Sequence, residues 1–105
     1  METSGVVIEL KPDSLERVRE WAAYLNQHKD EALQTLKNEG VMLESWFLTK
    51  IDGKDYLFAF MRAESMERAR EAVKNSSFVV DAYHQQFKKD AWLTRFKGEL
   101  LVDFS

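Results

Sequence analysis

Cysteine is absent from the 105 residues, so the chain can build no disulfide, thiolate nucleophile, iron–sulfur cluster or cysteine-rich zinc site. Its two histidines, His28 and His84, lack the i, i+4 spacing of a helical metal pair, so no metal and no cofactor is expected. Proline occurs once and glycine four times, too sparsely for a flexible linker or a low-complexity tract. No apolar run approaches the roughly 18 residues that cross a bilayer. The opening Met1-Glu2-Thr3-Ser4-Gly5 is polar where a secretory signal would be basic and then apolar. A cytoplasmic protein without a membrane partner is expected. Positive charge is not in excess either: the formal charge is −3 and the pI about 5.4. With no broad basic field, nucleic acid is not an expected partner.

Apolar residues make up 45% of the chain and charged residues 31%, enough to fill one core and dress one surface, so residues 1–105 are read as a single domain. Val6-Val7-Ile8-Glu9-Leu10 reads as a strand that Pro12 ends. Asp13 stands three residues before Glu16, the spacing of a capping box. A helix is therefore expected from about Ser14 to Asn38 or Glu39, with Gly40 as its left-handed terminator. On it Leu15, Val18, Ala22, Leu25, Ala32, Leu33 and Leu36 fall within one arc.

Val41–Ile51 and Lys54–Arg62 are β-rich runs separated by Asp52-Gly53, which predicts a hairpin with a type I′ turn. That turn pairs Ile51 with Lys54, Thr49 with Tyr56, Phe47 with Phe58 and Ser45 with Phe60. It sends Phe47, Tyr56, Phe58 and Phe60 to one face and Glu44, Trp46, Leu48, Leu57, Ala59 and Met61 to the other. Ser65 can cap a helix through Val73, Asn75-Ser76-Ser77 interrupts it, and Val79, Val80, Tyr83 and Phe87 recur at helical spacing. Gly98 leads into Glu99–Phe104 as a final strand. The order β-α-β-β-α-β predicts an α+β, ferredoxin-like sandwich with a four-stranded antiparallel sheet. Because both faces of the hairpin are apolar, the face carrying Trp46, Leu48, Leu57 and Met61 is expected to be buried between two copies in a homodimer.

Candidate site residues follow from chemistry that could converge. Glu44 and Trp46 share a strand face two residues apart, and an aromatic plane beside a carboxylate suits a sugar or other polar ring. His28, at the edge of the first helix's apolar arc, is the catalytic candidate, and Lys29, inside it, is a ligand-binding candidate; a solvated fate for both is the plainer reading. Glu9 and Asp103 alternate in phase with apolar residues and could be edge or cavity carboxylates. Trp92, Leu93 and Phe96 among Lys88, Lys89, Arg95 and Lys97 are expected to pack rather than to stack on bases.

Two resemblances emerge from these residues. Lys54–Met61 followed by Ala63–Ala69 resembles the third strand and second helix of an RNA recognition motif, but without an aromatic in the first strand or the glycine before the strand's aromatics. Leu10-Lys11-Pro12-Asp13, the long helix closing on Leu36–Gly40, and Leu57-Phe58-Ala59 resemble the dimeric α/β-barrel proteins of the rhamnose mutarotase type. That resemblance implies homodimers whose sheets pack face to face. The histidine it would place in the first helix falls at Ala22 or Leu25, three residues or more from His28, and its late tryptophan pair falls near Ala82-Tyr83. The fold carries over better than the activity, as for an uncharacterised bacterial family of this layout. The functional expectation is a small homodimer that binds a small polar molecule such as a sugar. The alternatives are a cofactor-independent mutarotase-like enzyme and a non-catalytic interaction or regulatory module.

Overall fold

The structure is a computed structural model that describes residues 1–104. Its elements run β1 (Glu2–Leu10), α1 (Leu15–Gln27), α2 (Lys29–Asn38), β2 (Val41–Ile51), β3 (Lys54–Ala63), α3 (Met66–Lys74), α4 (Val79–Ala91) and β4 (Trp92–Lys97). The strands form one antiparallel sheet in the order β2-β3-β1-β4, the ferredoxin-like arrangement expected from the element order. Asp52 and Gly53 both adopt positive φ, 50° and 79°, as a type I′ turn requires. The expected pairs, Phe47 with Phe58 and Thr49 with Tyr56 among them, are the observed ones. Ser65 caps α3 by accepting the backbone N–H of Arg68 at 3.2 Å.

The core lies between one sheet face and the helices. Ile8, Leu10 and Leu57 from the sheet meet Val18 and Trp21 of α1 and Phe87 and Ala91 of α4, and the Trp21 and Phe87 rings stack at 4.3 Å. Trp46 and Ala59 pack against this cluster, and Met61 against a second one formed by Val41, Ala63 and Ala69. The hairpin face carrying Trp46 and Met61 is thus covered by the chain's own helices, and the expectation that a second copy covers it is corrected. Trp21 and Phe87 fill the layer between it and the helices.

The open face is the other one, and it too is apolar. Phe47, Phe58, Val7 and Phe96 stand in one row across all four strands, each opposite the next. Phe47 and Phe96 are 60% and 55% exposed, and Leu43 and Phe60 are exposed beside them.

Three local expectations change. The long helix breaks at His28, whose φ and ψ of −110° and 35° leave helical space and re-phase α2 against α1. Leu33 is therefore exposed, while Trp21, outside the expected arc, is buried. Asp13 sits at φ 61° and is no cap; Ser14 precedes the helix and donates its hydroxyl to the Lys11 carbonyl at 2.7 Å. The final strand is Trp92–Lys97 and not Glu99–Phe104. Helix α4 runs straight into it, and the Lys11 N–H bonds the Ala91 carbonyl at 2.7 Å, which brings Trp92 opposite Leu10. Its last link is the Gly98 N–H on the Gly5 carbonyl at 2.8 Å, where a Cβ on Gly98 would lie 3.1 Å from that oxygen. Residues 99–104 then cross the open side, pinned where Asp103 accepts from Thr3 (3.0 Å) and Arg62 (2.6 Å). Leu100, Leu101, Val102 and Phe104 are left exposed.

Candidate functional site between the sheet and the helices

The polar chemistry of the chain gathers at one end of the layer between sheet and helices. Strand β2 contributes Glu44 and Trp46 through its alternation. The Trp46 indole N–H donates to the Glu44 carboxylate at 2.7 Å, and the ring meets Trp21 edge-on at 5.2 Å. Helix α4 contributes Asp81, His84 and Lys88, spaced three, four and seven residues apart on one face. Trp21 donates its indole N–H to His84 Nδ1 at 3.0 Å, so the neutral ring carries its proton on Nε2. The Lys88 ammonium lies 4.9 Å from the centre of the Trp92 ring. The Trp92 indole N–H is buried without a hydrogen-bond partner among the described residues.

Burial perturbs His84, Lys88, Glu44 and Glu39. Desolvation drives His84 down to about 3, and the charge of Lys88 adds to it. Lys88 is itself lowered by desolvation and by Arg95, while Glu44 and Glu39 pull the other way. The Glu44 carboxyl is raised by desolvation, with the Trp46 hydrogen bond opposing. Glu39, at the C-terminal end of α2, is 6% exposed and is pushed up to about 7, first by burial and then by Asp81 and Glu44. Asp81 accepts the Thr35 hydroxyl at 2.5 Å and the Ser76 hydroxyl. Perturbed groups of this kind occur in acid–base sites and in structural charge networks alike.

Two clefts reach this cluster. One, of about 380 Å³, opens between α2 and β2 and has Glu44 on its wall with Leu36, Lys37, Val41, Leu43 and Glu64. The other, of about 210 Å³, lies between the end of α2 and the α3–α4 turn and is lined by Glu39 and Thr35.

Glu44 and Trp46 are therefore together, as a hydrogen-bonded pair. His28 and Lys29 are both exposed at the α1–α2 junction. The His28 ring stacks on Tyr24 at 4.1 Å and bonds the Tyr24 carbonyl at 2.9 Å, and no contact joins either residue to Glu44 or Trp46. Glu9 is on the open face opposite Tyr56 and Thr94, and Asp103 bonds Thr3 and Arg62. Sequence reasoning passed over His84, Lys88, Glu39 and Trp21. A signal for His84 existed, since it lies four residues after Val80 and seven before Ala91, inside the stripe that buries Val80, Phe87 and Ala91.

Comparison with known proteins gives a family and a fold. The chain matches DUF6176, a family of unknown function, over residues 1–105. No curated protein matches it. Among solved structures it is similar to an L-rhamnose mutarotase from Formosa agariphila, with TM-score 0.66 and 19% identity over 100% of both chains. It is also similar to a dimeric ferredoxin-like protein from an uncultured marine organism, with TM-score 0.58 and 11% identity over 98% of this chain and 90% of that one. A de novo designed protein with a ferredoxin fold gives TM-score 0.58 and 18% identity over 100% of this chain and 93% of that one. At these identities the likeness establishes the ferredoxin-like fold.

Proposed function

We propose that this chain, which belongs to the DUF6176 family of unknown function, binds a small hydroxylated molecule such as a sugar at Glu44 and moves protons on it, as a cytoplasmic homodimer. The observation that carries this reading is Glu44 itself. Its carboxylate is held at 2.7 Å by the Trp46 indole, raised by burial, and exposed to a cleft of about 380 Å³, a size typical of small-molecule sites. A carboxyl raised by burial takes and returns a proton more readily than a solvated one.

Sugar ring opening fits these groups. Glu44 takes the anomeric hydroxyl proton, the bond between the anomeric carbon and the ring oxygen breaks, and the carbonyl forms. The ring oxygen receives a proton from the ammonium of Lys37, which lines the same cleft as Glu44. Closure on the other carbonyl face runs the transfers backward and returns both protons. The similar L-rhamnose mutarotase makes anomerisation the first reaction to test. His28 and Lys29, exposed at the helix junction, have no part in this step.

The homodimer rests on the open sheet face. Phe47, Phe60, Phe96 and the tail residues Leu101 and Phe104 expose an apolar surface of the kind that marks an interface, and a similar protein is itself described as dimeric. The test is anomer exchange in a panel of aldoses, followed by NMR saturation transfer with catalytic protein. Wild type should accelerate exchange and Glu44→Gln should lose at least about 100-fold, the scale of one acid–base group. No acceleration for any aldose, together with no saturable sugar-induced shift at Glu44, would sink the reading.

A further inference from the structure

We infer that the smaller cleft, of about 210 Å³ between the end of α2 and the α3–α4 turn, is a binding site for a small primary alkylammonium held by the Glu39 carboxylate. Glu39 lines this cleft and is 6% exposed, yet its carboxylate accepts no hydrogen bond from any described residue. Its access to donors is through the cleft it lines, so an N–H donor seated there would satisfy a carboxylate the protein leaves without one.

Two of the lining hydroxyls do not supply one. The Thr35 and Ser76 hydroxyls, both on the lining, spend their protons on Asp81 and leave only lone pairs for the cleft. The Asn75 amide donates to the Glu71 carbonyl at 3.1 Å. Asp81 and Glu44 add negative potential at Glu39, with Lys88 opposing them. An acceptor-rich, negative cleft calls for a cation that brings several N–H groups, and a primary ammonium brings three. Ala72 and Phe78 give the same cleft an apolar wall against which an alkyl stem can lie. A bare divalent cation fits poorly, because the described residues contain no group of three or more His, Cys, Asp or Glu able to hold one. This cleft shares no lining residue with the Glu44 cleft, so the inference stands apart from the proposed sugar chemistry.

The experiment is a titration of the isotope-labelled full chain with n-propylammonium chloride. It is followed by amide NMR at about pH 8, above the value of about 7 for Glu39, with n-propanol and potassium chloride in parallel. Saturable shifts confined to Thr35, Asn38, Glu39 and Ser76–Phe78 are expected with the ammonium alone. Glu39→Gln and the cavity-filling Ala72→Leu should each weaken binding at least about tenfold. Equal shifts with n-propanol, shifts that grow without saturating, or wild-type affinity in either folded variant would overturn the inference. The comparison of ammonium with alcohol on the wild-type chain decides the matter even where a variant does not fold.

Discussion

The Trp21 indole N–H bonds Nδ1 of His84 at 3.0 Å, and this contact fixes both the position and the protonation of the imidazole. Trp21 is 2% exposed and stacks on Phe87, so it cannot turn away to release the ring. Protonating Nδ1 would set two N–H groups against each other in a desolvated layer. His84 is therefore a fixed neutral donor through Nε2.

Trp21→Phe keeps an aromatic ring against Phe87 but leaves His84 Nδ1 a buried acceptor without its donor. Stability should fall by about 1–3 kcal/mol, measured by urea denaturation, with the largest amide shift changes at His84. A loss smaller than the scatter between repeats would mean that water or a rotated ring replaces the bond.

Two buried groups give the stability opposite pH slopes. His84, at about 3 in the fold against 6.5 in the open chain, leaves the unfolded state with more bound protons between those values. Its contribution rises with pH across that window and is lost as pH falls. Glu39, at about 7 against 4.5, binds more protons when folded, so its contribution is present below pH 4.5 and lost as pH rises toward 7. Glu39→Gln should gain stability relative to wild type progressively from pH 4.5 to 7, by on the order of 2 kcal/mol. A difference that stays flat with pH would show that Glu39 titrates normally.

The open face should hold two copies together. Phe47→Asp and Phe96→Asp alter side chains already exposed in one chain, so each should leave the circular dichroism spectrum unchanged while halving the mass seen by sedimentation at micromolar concentration. Wild type sedimenting as a monomer at high concentration would count against the interface.

That face carries Phe58 and Phe60 much as a base-stacking platform would, yet Arg62 is held by Asp103 at 2.6 Å and Lys54 stands at the far, turn end of the hairpin. Arg95, opposite the buried Ile8, points to the helix side. Aromatics without phosphate-neutralising charge should not retain single-stranded RNA. Fluorescence anisotropy with labelled oligonucleotides should show no salt-dependent binding at micromolar protein, and binding abolished by Phe58→Ala would reverse this judgement.

The order of elements and the hairpin register were legible because alternation, the Asp52-Gly53 turn and the Ser65 cap are local signals that tertiary packing did not override. Which hairpin face the helices cover was not legible, because both faces are apolar and the choice rests on the handedness of the β1–α1–β2 crossover, a property of the whole topology. The two apolar stretches near the end of the chain were exchanged for the same reason: Trp92–Lys97 and Glu99–Phe104 look equally strand-like until β1 requires a partner beginning beside Ala91. Of the candidate site, Glu44 and Trp46 were legible from their shared strand face. His84 was masked because a histidine within a buried stripe reads like any other polar interruption, and Glu39 because a helix terminus is normally solvated.

The position of β1 has a consequence in time. It lies inside the sheet, pairing Glu2 with Ala63 on one side and Val6 with Lys97 on the other, although it is made before either partner. During synthesis the β2–β3 hairpin can close locally, whereas Val6–Leu10 must wait for residues far along the chain, and such distant closures are slow. Until Lys97 has emerged, one edge of this apolar strand stays open to any other nascent chain that offers a matching ladder. The order of manufacture thus exposes the centre of the sheet longest, and the six residues of β4 end that exposure.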